Sequence, residues 1–146
     1  MEEKWMTQEE EASEEMVLLP EEEYRALPTL ADAEPLVLAK EIARILDSKR
    51  GKNIRVLRVD DKTVLADYFV LCTANSSTHI RSLINEVEYR LALRGVTAQN
   101  VEGHDNHTWV IGDYAQVLVH IFSREAREFY NLDKLYSDGV DAGADH

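Results

Sequence analysis

The sequence predicts a single α/β domain, a mixed five-stranded sheet flanked by helices. Three observations carry that expectation. The chain has 146 residues, the size of one ordinary domain. Two segments repeat apolar residues at helical spacing, and five short runs rich in β-branched and aromatic residues alternate with turn-like stretches.

Residues 1–34 stand apart. "MEEKWMTQEEEASEEMVLLPEEEYRALPTL" combines dense acidic charge with Pro20 and Pro28, which predicts an acidic, flexible extension that forms no packed core. Its apolar spots, Trp5, Met6 and "MVLL", could alternatively serve as a short docking segment. The domain is expected over 35–138, with "SDGVDAGADH" running into a small acidic tail at 139–146.

Pro35 suits the first turn of a helix, and Leu38, Ile42, Ile45 and Leu46 recur at helical spacing until Gly51 supplies a stop. "NIRVLRV" and "ADYFVLCTA" read as strands around the turn "DDKT". "NSST" then offers N-caps to a second helix, whose buried face is marked by Ile80, Leu83, Ile84, Val87 and Leu91 until Gly95. "TAQNVEG", "HTWVIG" and "AQVLVHIF" are the next three strands, and Ser123 is placed to cap one final helix over "SREAREFYNLDKLY".

The formal charge of −12 is unevenly spread: residues 1–34 hold twelve acids and two bases, which leaves sixteen acids and fourteen bases for the rest. The body is thus nearly neutral. Lys49, Arg50, Lys52, Arg55 and Arg58 cluster, but solvated cations flanking a strand explain them better than dedicated nucleic-acid readout. No apolar run reaches membrane-spanning length, and the acidic start lacks the character of a signal peptide, so a cytoplasmic protein is expected. Cys72, the only cysteine, lies in "YFVLCTA" and reads as a buried thiol.

Two chemistries can be weighed from the residues. A strand entering the turn "TANSST" before a helix resembles a phosphate-receiving loop of a nucleotidyltransferase. Such an enzyme needs paired carboxylates to hold Mg²⁺, and "HIRSLINEVEYRLALRG" follows instead, so Ser76 and Ser77 read as helix caps and no catalytic residue is expected. His104 and His107, with His120 across a hairpin, are too few for a closed zinc site, so neither a metal nor another cofactor is expected.

In "AQVLVHIF", alternation sets Ala115, Val117, Val119 and Ile121 on one face and Gln116, Leu118, His120 and Phe122 on the other. Trp109 should fall near His120 or Phe122 across the ladder. Aromatic rings around a polar group mark either a protein-binding patch or a face covered by a helix, and alternation alone does not choose between them.

"ADYFVLCTANSSTHI", "VEG", "WVIGDYAQVLVHIF" and "REFYNLDKLYSD", in this order, closely resemble the ribosomal silencing factor family, the RsfS or Iojap-like proteins. Ala74 stands where that family often has Gly, and "HDNH" fills a variable loop. The resemblance implies a nucleotidyltransferase-like fold without the catalytic apparatus. It also implies binding to the large ribosomal subunit through ribosomal protein uL14, a block on joining of the small subunit, and repression of translation under nutrient limitation or in stationary phase. A role in large-subunit assembly is the alternative it carries, and a nucleotide-binding enzyme is a remoter one. It places the docking surface on Trp109, Asp113, Tyr114, His120, Phe122, Glu125, Glu128, Phe129 and Tyr130, and implies a weak homodimer. For Phe129, Leu132 and Leu135, packing of the final helix onto the sheet is an equal expectation.

Overall fold

The computed structural model describes residues 18–103 and 107–136, and its first element already departs from expectation. Helix α1 (Glu21–Arg25) carries Tyr24, which is only 1 % exposed, and Leu30 is buried a few residues later. The expected flexible extension is therefore corrected over residues 18–34, which pack onto the domain. Pattern reasoning missed this because a single aromatic among carboxylates makes no amphipathic period. Its partners are Glu41 in the next helix and Arg90 and Arg94 far along the chain.

Helix α2 (Pro35–Ser48) starts with proline at its first position and buries Leu38, Ile42, Ile45 and Leu46, as its spacing predicts. It ends through Arg50, whose φ is 68°, and the Gly51 N–H donates to the Leu46 carbonyl at 2.9 Å. Gly51 lacks a side chain for a different reason: a Cβ there would stand 2.5 Å from the Cys72 Sγ. Strands β1 (Lys52–Arg58) and β2 (Tyr68–Ala74) follow, then helix α3 (Ser77–Leu93), capped by the Ser76 hydroxyl, which accepts from the His79 N–H at 3.1 Å. All five residues predicted for its buried face are buried.

Strands β3 (Asn100–Glu102), β4 (Trp109–Asp113) and β5 (Val117–Ser123) complete a sheet in the order β1-β2-β5-β4-β3. The β2–β5 pair is parallel and the others antiparallel, so the sheet is mixed as expected. A parallel pair needs a long crossover, and the chain from α3 through β4 supplies it. Helices α2 and α3 pack on one sheet face over Val56, Val70, Cys72, Val119 and Ile121.

The opposite face is covered by the C-terminal segment. Ser123 caps helix α4 (Arg124–Tyr130), its hydroxyl accepting from the Ala126 N–H at 3.1 Å. The single final helix expected from the sequence is two: Asn131 adopts φ 51° and ψ 51°, and helix α5 (Leu132–Leu135) begins after it. Asparagine tolerates the left-handed region, and its side chain accepts from the Lys134 N–H, so one residue ends the first helix and caps the second. Ala126, Leu132 and Tyr136 then close a second cluster with Leu57, Phe69, Leu71 and Phe122.

Candidate protein-docking face

The second cluster is covered unevenly, and that asymmetry defines the candidate site. A polar clamp fixes α4 and α5 over the β1–β2 half of the sheet. The Arg127 guanidinium donates to both Asp133 carboxylate oxygens at 2.8 Å, to the Thr73 hydroxyl at 2.9 Å and to the Asn53 carbonyl at 2.7 Å. Arg55 on β1 donates to the same carboxylate at 3.1 Å. Burial pushes the Asp133 pKa up, but hydrogen bonds and charge from Arg127 and then Arg55 outweigh it, and the carboxyl lies below its ordinary value. Part of the basic cluster around β1 thus serves internal pairing.

Toward β4 the covering stops. The β4–β5 register pairs Trp109 with Phe122, Ile111 with His120 and Asp113 with Leu118, so all six share the face of the second cluster. Trp109 stacks on Phe122 at 5.1 Å between centroids and meets Tyr130 of α4 at 4.5 Å. Trp109, Ile111 and Asp113 remain half-exposed, and next to them Tyr130 and the 79 % exposed Phe129 stand in edge-to-face contact at 4.9 Å. Leu135 on α5 is 66 % exposed, while Leu132 packs inward. Of the three residues whose packing was an equal expectation, only Leu132 packs.

His120 is 5 % exposed and Phe122 is fully buried, so neither presents a surface to a partner, and the expectation that they form part of a surface is corrected. The α4–α5 segment covers them. The Trp109 Nε1–H donates to His120 Nδ1 at 3.3 Å, and burial holds the imidazole pKa down at about 4, so the ring is neutral. Tyr114 is a second correction: it is buried on the opposite side, under α3, where burial and then the charge of Glu88 push its phenol pKa up. Ala115, with φ 69°, turns the chain here, and the Asp113 carboxylate accepts from the Ala115 N–H at 2.8 Å. Asp113 is thus a turn former with one edge in solvent. Glu125 and Glu128 are exposed on α4, the helix that carries Phe129 and Tyr130.

The "TANSST" turn is occupied structurally. Ser76 caps α3, and His79 accepts from the Asn75 N–H at 2.9 Å through Nδ1 while its Nε2 faces the Lys49 carbonyl at 2.8 Å. His104 lies outside the described residues. Among the described residues, no three His, Cys, Asp or Glu side chains gather as metal ligands, and no helix is long and apolar enough to cross a membrane.

Residues 32–145 match the family model described as ribosomal silencing factor during starvation. The chain belongs to this family. The ribosomal silencing factor RsfS of Bacillus subtilis is similar, 32 % identical over 74 % of this chain and 92 % of its own length. The RsfS of Haemophilus influenzae is 28 % identical over 70 % of this chain and all of its own. A crystal structure of a Chromobacterium violaceum protein superimposes with a TM-score of 0.69 at 28 % identity, over 71 % of this chain and 87 % of the other. The silencing-factor match begins at residue 32, so the packed segment carrying Tyr24 lies outside it.

Sequence reasoning missed two features of the face. Ile111 was legible from the alternation of β4, which sets it beside Trp109 and Asp113. Exposure of Leu135 was not, because it follows from the break at Asn131, which rotates α5 relative to α4.

Proposed function

We propose that this chain binds the large ribosomal subunit in the cytoplasm through ribosomal protein uL14 and sterically blocks joining of the small subunit, lowering translation when nutrients are limiting. The observation that carries it is the grouping of Trp109, Tyr130 and Phe129 at the half-open edge of one sheet face, with Asp113 on β4 and the exposed Glu125 and Glu128 on α4 adding acidic charge. Aromatic anchors accompanied by exposed carboxylates are the complement of a basic protein surface with apolar pockets. Blocking needs only one bound partner and a body that fills the other's space, so the activity is a competition between binding free energies and calls for no catalysis. An assembly role is the second reading, raised by a mouse relative named mitochondrial assembly of ribosomal large subunit protein 1. Silencing is favoured because this chain covers 92 % of the Bacillus subtilis silencing factor but only 43 % of the mouse protein.

The same apolar edge would also hold a second copy of the chain, so self-association should compete with docking. Purified subunits are allowed to associate with and without the protein and are separated on sucrose gradients. Wild type should travel with the large subunit and deplete joined ribosomes. Phe129→Ala, which removes an exposed ring and leaves the fold intact, should do neither at the same concentration. Wild type that stays at the top of the gradient, with subunit joining unchanged, would refute the proposal.

A further inference from the structure

The docking face has one directional contact behind it. The Trp109 indole lies between Phe122, 5.1 Å away and inclined by 25°, and Tyr130, 4.5 Å away. Ring contacts of this kind hold an indole in a layer without fixing its rotation within that layer. The bond from Nε1–H to His120 Nδ1 does fix it.

That histidine is an unusual choice for its place. It is 5 % exposed, with Phe69 4.6 Å from its ring and Phe122 6.0 Å away. A neutral imidazole carries one N–H, and because Nδ1 accepts from the indole, the hydrogen must sit on Nε2. Among the described residues, the buried His120 Nε2 has no hydrogen-bond partner. An unmet buried donor lowers stability, and a phenylalanine here would pack among the same rings without one. What histidine supplies and phenylalanine does not is an acceptor for Trp109.

We propose that His120 is a positioning residue: by accepting the Trp109 indole N–H it fixes one orientation of that ring, and through the Trp109–Tyr130 contact it preforms the docking edge. The inference rests on the proposed ribosome-docking function. Preformed anchors bind better because less side-chain freedom is lost on association. Removing the acceptor should therefore weaken docking about threefold to tenfold, the range of one ordinary hydrogen bond. Stability should stay level or rise.

The chain has two tryptophans, so a Trp5→Phe background leaves Trp109 as the sole indole. In that background the ¹H–¹⁵N signal of the indole and its exchange rate with deuterated solvent are read in the free protein, and affinity for large subunits is read by co-sedimentation. His120→Phe should shift the signal upfield and raise the exchange rate at least tenfold, with a melting temperature at or above that of the parent and docking weakened as above. His120→Asn, whose Oδ1 replaces Nδ1 as acceptor, should restore both the signal and the affinity. Once Trp109→Phe has removed the donor, His120→Phe should cost no further affinity. An unchanged indole signal in His120→Phe overturns the inference, as does a shifted signal with full affinity. If the parent protein itself fails to bind large subunits, the functional proposal falls and takes the docking role of His120 with it, while the indole spectrum still decides whether His120 holds the ring.

Discussion

Tyr24→Ala is expected to destabilise the whole domain, although Tyr24 lies before the residues shared with the silencing factor family. The ring is 1 % exposed, the Arg90 and Arg94 guanidinium carbons lie 5.0 and 5.2 Å from its centroid, and its hydroxyl donates to Glu41 at 2.5 Å. Losing a fully buried aromatic side chain costs about 3–5 kcal/mol. The two cation–π contacts are part of that loss, at roughly 0.5–1 kcal/mol each. The effect should spread beyond the ring, because the same arginines tie down the segment around it. Arg90 donates to the Leu19 carbonyl at 2.7 Å, Arg94 donates to the Pro28 carbonyl at 3.0 Å, and the Leu30 N–H donates to the Arg94 carbonyl at 2.8 Å. Tyr24→Phe keeps the ring and loses only the bond to a carboxylate, about 1.5–3 kcal/mol. Urea unfolding followed by circular dichroism should rank wild type, Tyr24→Phe and Tyr24→Ala in falling order of midpoint with one common slope. A Tyr24→Ala midpoint equal to wild type would refute the reasoning. Residues 18–34 would then be a strap that opens without unfolding the domain, and fast exchange of the Leu30 amide in wild type would confirm that alternative.

Three further predictions follow from single contacts. His120 has a folded pKa of about 4 against an ordinary 6.5, so the folded state binds fewer protons than the unfolded state between those values. Stability is therefore unaffected by this group above about pH 6.5 and is lost as pH falls toward 4, by on the order of 3 kcal/mol, because the unfolded state then binds the proton that the buried ring refuses. Urea midpoints at pH 7 and pH 4.5 should therefore diverge less in His120→Phe than in wild type, and equal divergence counts against it. Asp133→Ala leaves Arg127, which is 11 % exposed, without its carboxylate, and should cost about 1.5–3 kcal/mol. Limited proteolysis should then cut the α4–α5 segment faster, and an unchanged cleavage rate would argue that Leu132 and Tyr136 suffice to hold it. Gly51→Ala drives a Cβ against the Cys72 Sγ and should cost about 1–3 kcal/mol in thermal unfolding. Pairing it with Cys72→Ala should recover part of the loss.

The elements legible in the sequence were those whose evidence is local. Pro35, Ser76 and Ser123 announce helix starts through their own chemistry, and the apolar periods of α2 and α3 report one continuous sheet face beneath them. Less legible were features decided by partners distant in the chain. Tyr24 reads as one aromatic in an acidic run until Glu41, Arg90 and Arg94 are brought around it. The break at Asn131 was hidden for a different reason. "REFYNLDKLY" keeps a helical rhythm in its apolar residues, and a single left-handed asparagine interrupts the backbone without interrupting that rhythm.

The expected docking residues do not all share one surface, for a reason contained in the hairpin itself. Side chains alternate along β4 and β5, so a cluster that is contiguous in sequence is divided between the two sides of the sheet. Tyr114 goes under α3, while Trp109 and His120 go toward α4. On that second side, depth divides the residues again. His120 and Phe122 lie beneath the helices, Trp109 lies at their edge, and Phe129 and Leu135 lie outside. Affinity for a partner should therefore fall into two classes of variant. Outer residues should lower binding with stability unchanged, as Phe129→Ala tests directly. Trp109→Ala should lower both, because the same indole packs the second cluster and borders the open edge.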